Sequence, residues 1–96
     1  MRFEWDEAKN RSNFKKHGIA FEAAVLAFED PYQLSFIERI VDGEERWQTF
    51  GIVGRTIVMV AHTWQEENEK ELIRVISARN ANAYEKRIYE THKTSS

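Results

Sequence analysis

Cysteine is absent from the 96-residue chain. That excludes a disulfide scaffold, a Cys-ligated zinc site and thiol catalysis together. Proline occurs once, at Pro31, so a single position interrupts the chain on steric grounds. The four glycines are isolated, and no Gly-rich loop can cradle a phosphate. Apolar runs such as Ile57 to Ala61 fall far short of the roughly 20 residues that a bilayer helix needs. The opening Met1-Arg2-Phe3-Glu4-Trp5-Asp6 has no apolar core of a secretory signal, so the expected location is the cytoplasm. No low-complexity tract or internal repeat is present.

What is present is an ordinary globular composition: 42% hydrophobic, 31% charged, with six Phe, three Tyr and three Trp. These aromatics supply the bulk that a small core requires. One domain is expected over 1–90, with 91–96 as a flexible tail. The net charge of -2 does not mark a nucleic-acid binder, but its distribution is uneven. Residues 1–20 carry +2, residues 21–71 carry -7 and residues 72–96 carry +3. If the two ends meet, they form one basic surface on an acidic body.

Asp6 reads as a helix N-cap for residues 7–17, with Lys15, Lys16 and His17 in the last turn and Gly18 as the C′ residue. Phe21 to Phe28 predicts a short second helix, ended at Asp30-Pro31 because the residue before proline avoids helical geometry. From Tyr32 the period becomes 2. Tyr32, Leu34 and Phe36 start a first strand, and Asp42-Gly43 marks a turn. Arg46 to Ile52 forms a second strand, and 56–64 a third that is apolar on both faces. Gln65 to Lys70 reads as a charged loop. Residues 71–79 form a fourth strand, whose strict alternation puts Arg74 on one face and Arg79 on the other. Asn80 is placed to cap a last helix with Ala81, Tyr84 and Ile88 on one side. The expected fold is α+β: two N-terminal helices, a four-stranded mainly antiparallel sheet and a C-terminal helix.

The three histidines share no metal-ligand spacing and no nucleophile elbow exists, so neither a metal nor a cofactor is expected. What remains is a set of cations at element ends. Arg79 closes a strand, Arg46 opens one, Arg74 lies on one, and Lys16 and His17 close a helix. A guanidinium fork matches two phosphate oxygens, and a histidine titrates in the useful range. Metal-free RNA cleavage needs a base, a cation at phosphorus and an acid. The alternative for each cation is an ordinary surface ion pair or a dipole-complementing position. His62, on an apolar strand, is expected to be structural.

The opening Phe3-x-Trp5-Asp6-x-x-Lys9-x-x-x-Asn13-x-x-Lys16-His17-Gly18-x-x-Phe21 resembles the BrnT toxins. The resemblance continues through Ala24, Phe28-x-Asp30-Pro31, Glu45-Arg46 and Gly51 to Arg74-Val75-Ile76-Ser77-Ala78-Arg79, Ala83, Glu85 and Tyr89. It implies a type II toxin with a fold similar to the RelE ribonucleases and RNA cleavage that shuts down translation. It also implies a BrnA-type antitoxin partner, through which alone the protein would contact DNA. Arg79, Arg46, Arg74 and His17 become candidate catalytic residues, with Lys16 and Lys9 as candidate RNA-binding residues. Trp5, Asp6, Asn13 and Gly18 are read as structural. The competing reading is a binding module whose arginines serve a protein interface.

Overall fold

The computed structural model describes residues 1–95. The elements are β1 (Arg2–Glu4), α1 (Glu7–His17), α2 (Phe21–Ala24), a 3-10 segment (Val25–Glu29), β2 (Leu34–Val41), β3 (Glu44–Val53), β4 (Thr56–Glu67), β5 (Lys70–Asn80) and α3 (Ala83–Thr94). The sheet has five strands in the order β1-β5-β4-β3-β2. This corrects the expected four-stranded mainly antiparallel sheet entered through two helices. The chain enters instead through β1, which pairs parallel with β5 at Arg2↔Leu72, Phe3↔Ile73 and Glu4↔Arg74, so the sheet is mixed. Three residues are too few to show a period. The second N-terminal helix is a single α turn that tightens into the 3-10 segment before Pro31.

Local chemistry sets the element ends. The Asp6 carboxylate accepts from the backbone N–H of Ala8 and Lys9, and Gly18 takes the left-handed conformation (φ 74°) that ends α1. Asp42 and Gly43 both have positive φ, as a two-residue hairpin requires. The segment expected as a charged loop is instead a third tight hairpin, after those at Asp42-Gly43 and Gly54-Arg55. β4 runs to Glu67, β5 begins at Lys70, and Asn68 and Glu69 turn with positive φ. Its charges line a ribbon exposed on both faces, which hides the strand period. The cap of α3 is Asn82, not Asn80. Asn82 and Glu85 form a reciprocal capping box. Residues 91–94 of the expected tail lie in α3, and Ser96 is outside the described residues.

One sheet face packs on α1, α2 and the 3-10 segment. Phe21, Ala24, Ala27 and Phe28 meet Val58, Val60, Ile73, Val75 and Ala78 there. Burying a side chain the size of Phe21 contributes about 1.5–3 kcal/mol. The 3-10 segment crosses so closely that a Cβ on Gly51 would meet the Ala27 carbonyl oxygen. The other face packs on α3 through Tyr89, Phe50, Ile57, Met59 and Ala81. Ala81, expected on one helix side with Tyr84 and Ile88, is buried before α3 begins, whereas Tyr84 and Ile88 are exposed on the helix.

Asn13 closes the edge of β5 beyond β1. Its side-chain amide donates to the Ala78 carbonyl at 2.8 Å and accepts from the Ala78 N–H at 3.1 Å. One side chain thus does what a neighbouring strand would do. Among the described residues no helix is long and apolar enough to cross a membrane.

Candidate anion-binding site

The site begins with a bulge in β5. On β4, Ala61 pairs with Ser77 and His62 with Val75, so Ile76 is an extra residue in the ladder. The extra residue reverses the alternation. Ile73 and Val75 face the α1 side, and so does Ala78. Arg74 and Arg79, an odd number of residues apart, therefore share the face opposite. That face is the one α3 partly covers, with Arg74 beside Thr63 and Arg79 beside Met59. Bulges commonly re-aim a side chain at a functional site in this way. Strict alternation predicted the two arginines on opposite faces.

Arg46 joins them from β3. Arg74 Nη2 lies 2.9 Å, and Arg46 Nη2 3.4 Å, from the same Glu44 Oε1. The Arg46 Nε is buried without a hydrogen-bond partner among the described residues. Arg46 also sits directly opposite Arg39 of β2, a like-charged pair that is unfavourable across a ladder. Lys9 and Asp6 of α1 complete the cluster. With Arg46, Arg74, Val75 and Ile76 they line a cavity of about 260 Å³. The N-terminal and C-terminal basic segments thus meet, because α1 packs along β5.

Arg79 stands further along the same face, five residues from Arg74, on the order of 15 Å in an extended strand. Its fork is held by Glu85 of α3, Nη1 to Oε1 at 2.8 Å and Nη2 to Oε2 at 3.0 Å. The hydrogen bonds to Glu85 raise the guanidinium pKa above its ordinary value, against the opposing effect of burial. The same bonds hold the Glu85 carboxyl below the usual range, again over burial. Glu85 also accepts from the Asn82 N–H, so the capping box orients Arg79.

The structure does not bring His17 and Lys16 to this face. His17 lines a separate cleft with Val53, Thr56 and Asn80, and Lys16 is exposed near the end of α1. Lys9 is the α1 cation that meets the arginines. Neither Glu44 nor Glu85 was singled out as a site residue. A carboxylate two residues before Arg46, and another three after Asn82, were the available signals.

The remaining candidates are structural. His62 is wholly buried, its Nδ1 3.0 Å from the Thr63 carbonyl and its Nε2 2.7 Å from the Thr49 hydroxyl. Burial pushes its pKa down to about 4, although the Thr63 carbonyl favours the protonated ring. Trp5 packs edge-on against Phe21, and Trp47 against Trp64. Among the described residues no three His, Asp or Glu side chains gather as a metal-ligand set.

Fold and site together define a small α+β protein with arginines clustered on one sheet face. The family model described as the ribonuclease toxin BrnT of type II toxin–antitoxin systems matches residues 5–85. The chain belongs to that family. No curated protein matches it. Membership implies a ribonuclease with an RNA target and an antitoxin protein as partner.

Proposed function

We propose that the protein is a metal-independent endoribonuclease that inhibits translation by cutting RNA and is neutralised by a BrnA-type antitoxin. The observation that carries this reading is the convergence of Arg46 and Arg74 on one carboxylate oxygen, Glu44 Oε1. Two guanidinium groups meeting at one oxygen-sized point suit a non-bridging oxygen of a phosphodiester. RNA displaces Glu44 there. The 2′ oxygen attacks phosphorus, its proton leaves, and charge builds on the phosphoryl oxygens. Arg46 and Arg74 stabilise that charge. The P–O5′ bond breaks and the 5′ oxygen takes up a proton, leaving a 2′,3′-cyclic phosphate and a 5′-hydroxyl.

Arg79 holds a phosphate further along the strand and helps fix its direction. Lys9 adds positive charge at the cavity rim, and Lys16 extends it along α1. His17, across the sheet from Arg79, takes no part in the chemistry in this reading. A second reading, a catalytically silent module, draws support from Glu44 and Glu85, whose carboxylates engage all three arginines.

Cleavage of a defined RNA in EDTA separates the two. The first reading expects cutting that Arg46→Ala and Arg74→Ala each lower by roughly a hundred-fold at unchanged circular dichroism. Intact RNA with the wild type, under conditions where the antitoxin still binds, establishes the second.

A further inference from the structure

Beside Arg79 lies a groove that the phosphate chemistry leaves unused. It has a volume of about 200 Å³ and runs between α3 and the β2–β3 ribbon. Phe36 and Phe50 form one wall as a stacked pair, with ring centroids 5.7 Å apart and planes 24° apart. Tyr84 and Ile88 of α3 form the other wall, and Glu85, which grips Arg79, closes one end. Gln48 also lines the groove. Its β4 partner is the small Ala61, which leaves room above the amide. The Gln48 side chain makes no hydrogen bond among the described residues, whereas the amides of Asn10, Asn13 and Gln33 are all engaged.

We infer that this groove is a nucleobase subsite that takes one unstacked base of the RNA strand whose phosphate Arg79 holds. The proposal rests on the ribonuclease reading of the same face and adds where the sequence of the substrate is read. Aromatic walls bind the π-face of any base, and an amide presents a donor and an acceptor side by side to its edge. The chemistry matches a base in a single strand whose exposed edge pairs a donor with an acceptor. The short enclosed shape suits one planar ring rather than a helix. Arg79 lies behind Glu85 at that end, and displacing Glu85 would free its fork for the phosphate that the base carries.

The test separates binding from cutting. Fluorescence anisotropy measures the affinity of short 2′-O-methyl homopolymers of A, C and U, which cannot undergo transesterification. Tyr84→Ala and Gln48→Ala are the variants. Tyr84 is 65% exposed, so its removal spares the core. The expected result is a rough five- to hundred-fold loss of affinity with Tyr84→Ala. With Gln48→Ala the difference among the three polymers shrinks, and the preference among cleavable RNAs shrinks with it. An abasic nucleotide introduced at successive positions finds one position where wild-type affinity falls as it does with Tyr84→Ala.

The inference is overturned if wild type does not bind the polymers, or if both variants bind them unchanged. It is equally overturned if the variants lose antitoxin affinity alone, which would make the groove a protein-docking surface. Cleavage that depends on Arg46 but ignores Tyr84 and Gln48 sinks the subsite and leaves the nuclease standing. Base-dependent binding without cleavage does the reverse.

Discussion

The Tyr89 hydroxyl donates to the Asp30 carboxylate across 59 residues of sequence, and so ties α3 to the turn that ends the 3-10 segment. Asp30 Oδ2 also accepts from the Ile52 N–H at 2.8 Å, and Oδ1 from the Tyr32 N–H at 2.8 Å. Burial raises the Asp30 carboxyl, but these three bonds outweigh it and hold the group below the usual carboxylate range. Burial, then Asp30 itself, pushes the Tyr89 hydroxyl well above its ordinary value.

Asp30→Asn is therefore expected to destabilise the fold by about 2–4 kcal/mol, since it weakens every bond to a charged acceptor. Tyr89→Phe should cost less, because only one of the three bonds goes. Urea unfolding of both variants checks the order. Equal losses would mean that the Tyr89 bond carries most of the effect.

His62 makes stability depend on pH. Its folded pKa of about 4 lies below the ordinary 6.5, so the unfolded chain takes up a proton that the folded one refuses. The contribution is nil above about 6.5 and grows as pH falls towards 4, reaching about 3 kcal/mol of destabilisation. Asp30 and Glu85, with lowered carboxyl values, add to acid loss only at the low end of that window. Comparing denaturant midpoints at pH 7 and pH 5 for wild type and His62→Gln isolates the effect. The variant should lose less between the two.

Gly51→Ala should destabilise by about 1–3 kcal/mol, because its Cβ meets backbone that cannot move without shifting the 3-10 segment. Thermal unfolding reads it directly. An unchanged midpoint would mean that the segment slides freely over β3.

At the site, Arg46→Ala and Arg74→Ala should lower kcat by roughly a hundred-fold, the scale of lost transition-state charge stabilisation. Arg79→Ala should act mainly on KM, and His17→Ala on neither. Steady-state cleavage rates across a range of RNA concentrations distinguish these. A kcat defect in His17→Ala would move the chemistry to the other side of the sheet.

Glu44→Gln removes the carboxylate that RNA must displace. Affinity for RNA should rise by roughly five-fold, about 1 kcal/mol, and fall more gently with added salt in Arg74→Ala than in wild type. Filter binding across a salt series measures both.

Much of this was legible in the residues. Asp6, Gly18, Asp42-Gly43 and Asp30-Pro31 act through local backbone chemistry, which sequence displays directly. Their positions on strands and at strand ends single out Arg46, Arg74 and Arg79, alongside Lys16 and His17 at a helix end. Three things escaped for physical reasons. Strand β1 owes its existence to β5, and a three-residue strand has no pattern of its own. The Asn68-Glu69 hairpin is charged on both faces, so it imitates a loop. The Ile76 bulge has no residue signature, yet it decides which face Arg79 occupies. His17 closes α1 in the sequence, and the direction of α1 carries it into a cleft apart from the arginines.

Asn13 on Ala78 has a consequence for how copies of this chain can associate. A sheet adds neighbours through unsatisfied strand edges. On the β5 side, three residues of β1 and then a side chain use up the main-chain groups around Ala78. On the opposite side, β2 leaves eight residues with one row of main-chain groups unclaimed. The two edges of the sheet are therefore unequal: β2 offers eight residues to an added strand, and the outer side of β1 only three.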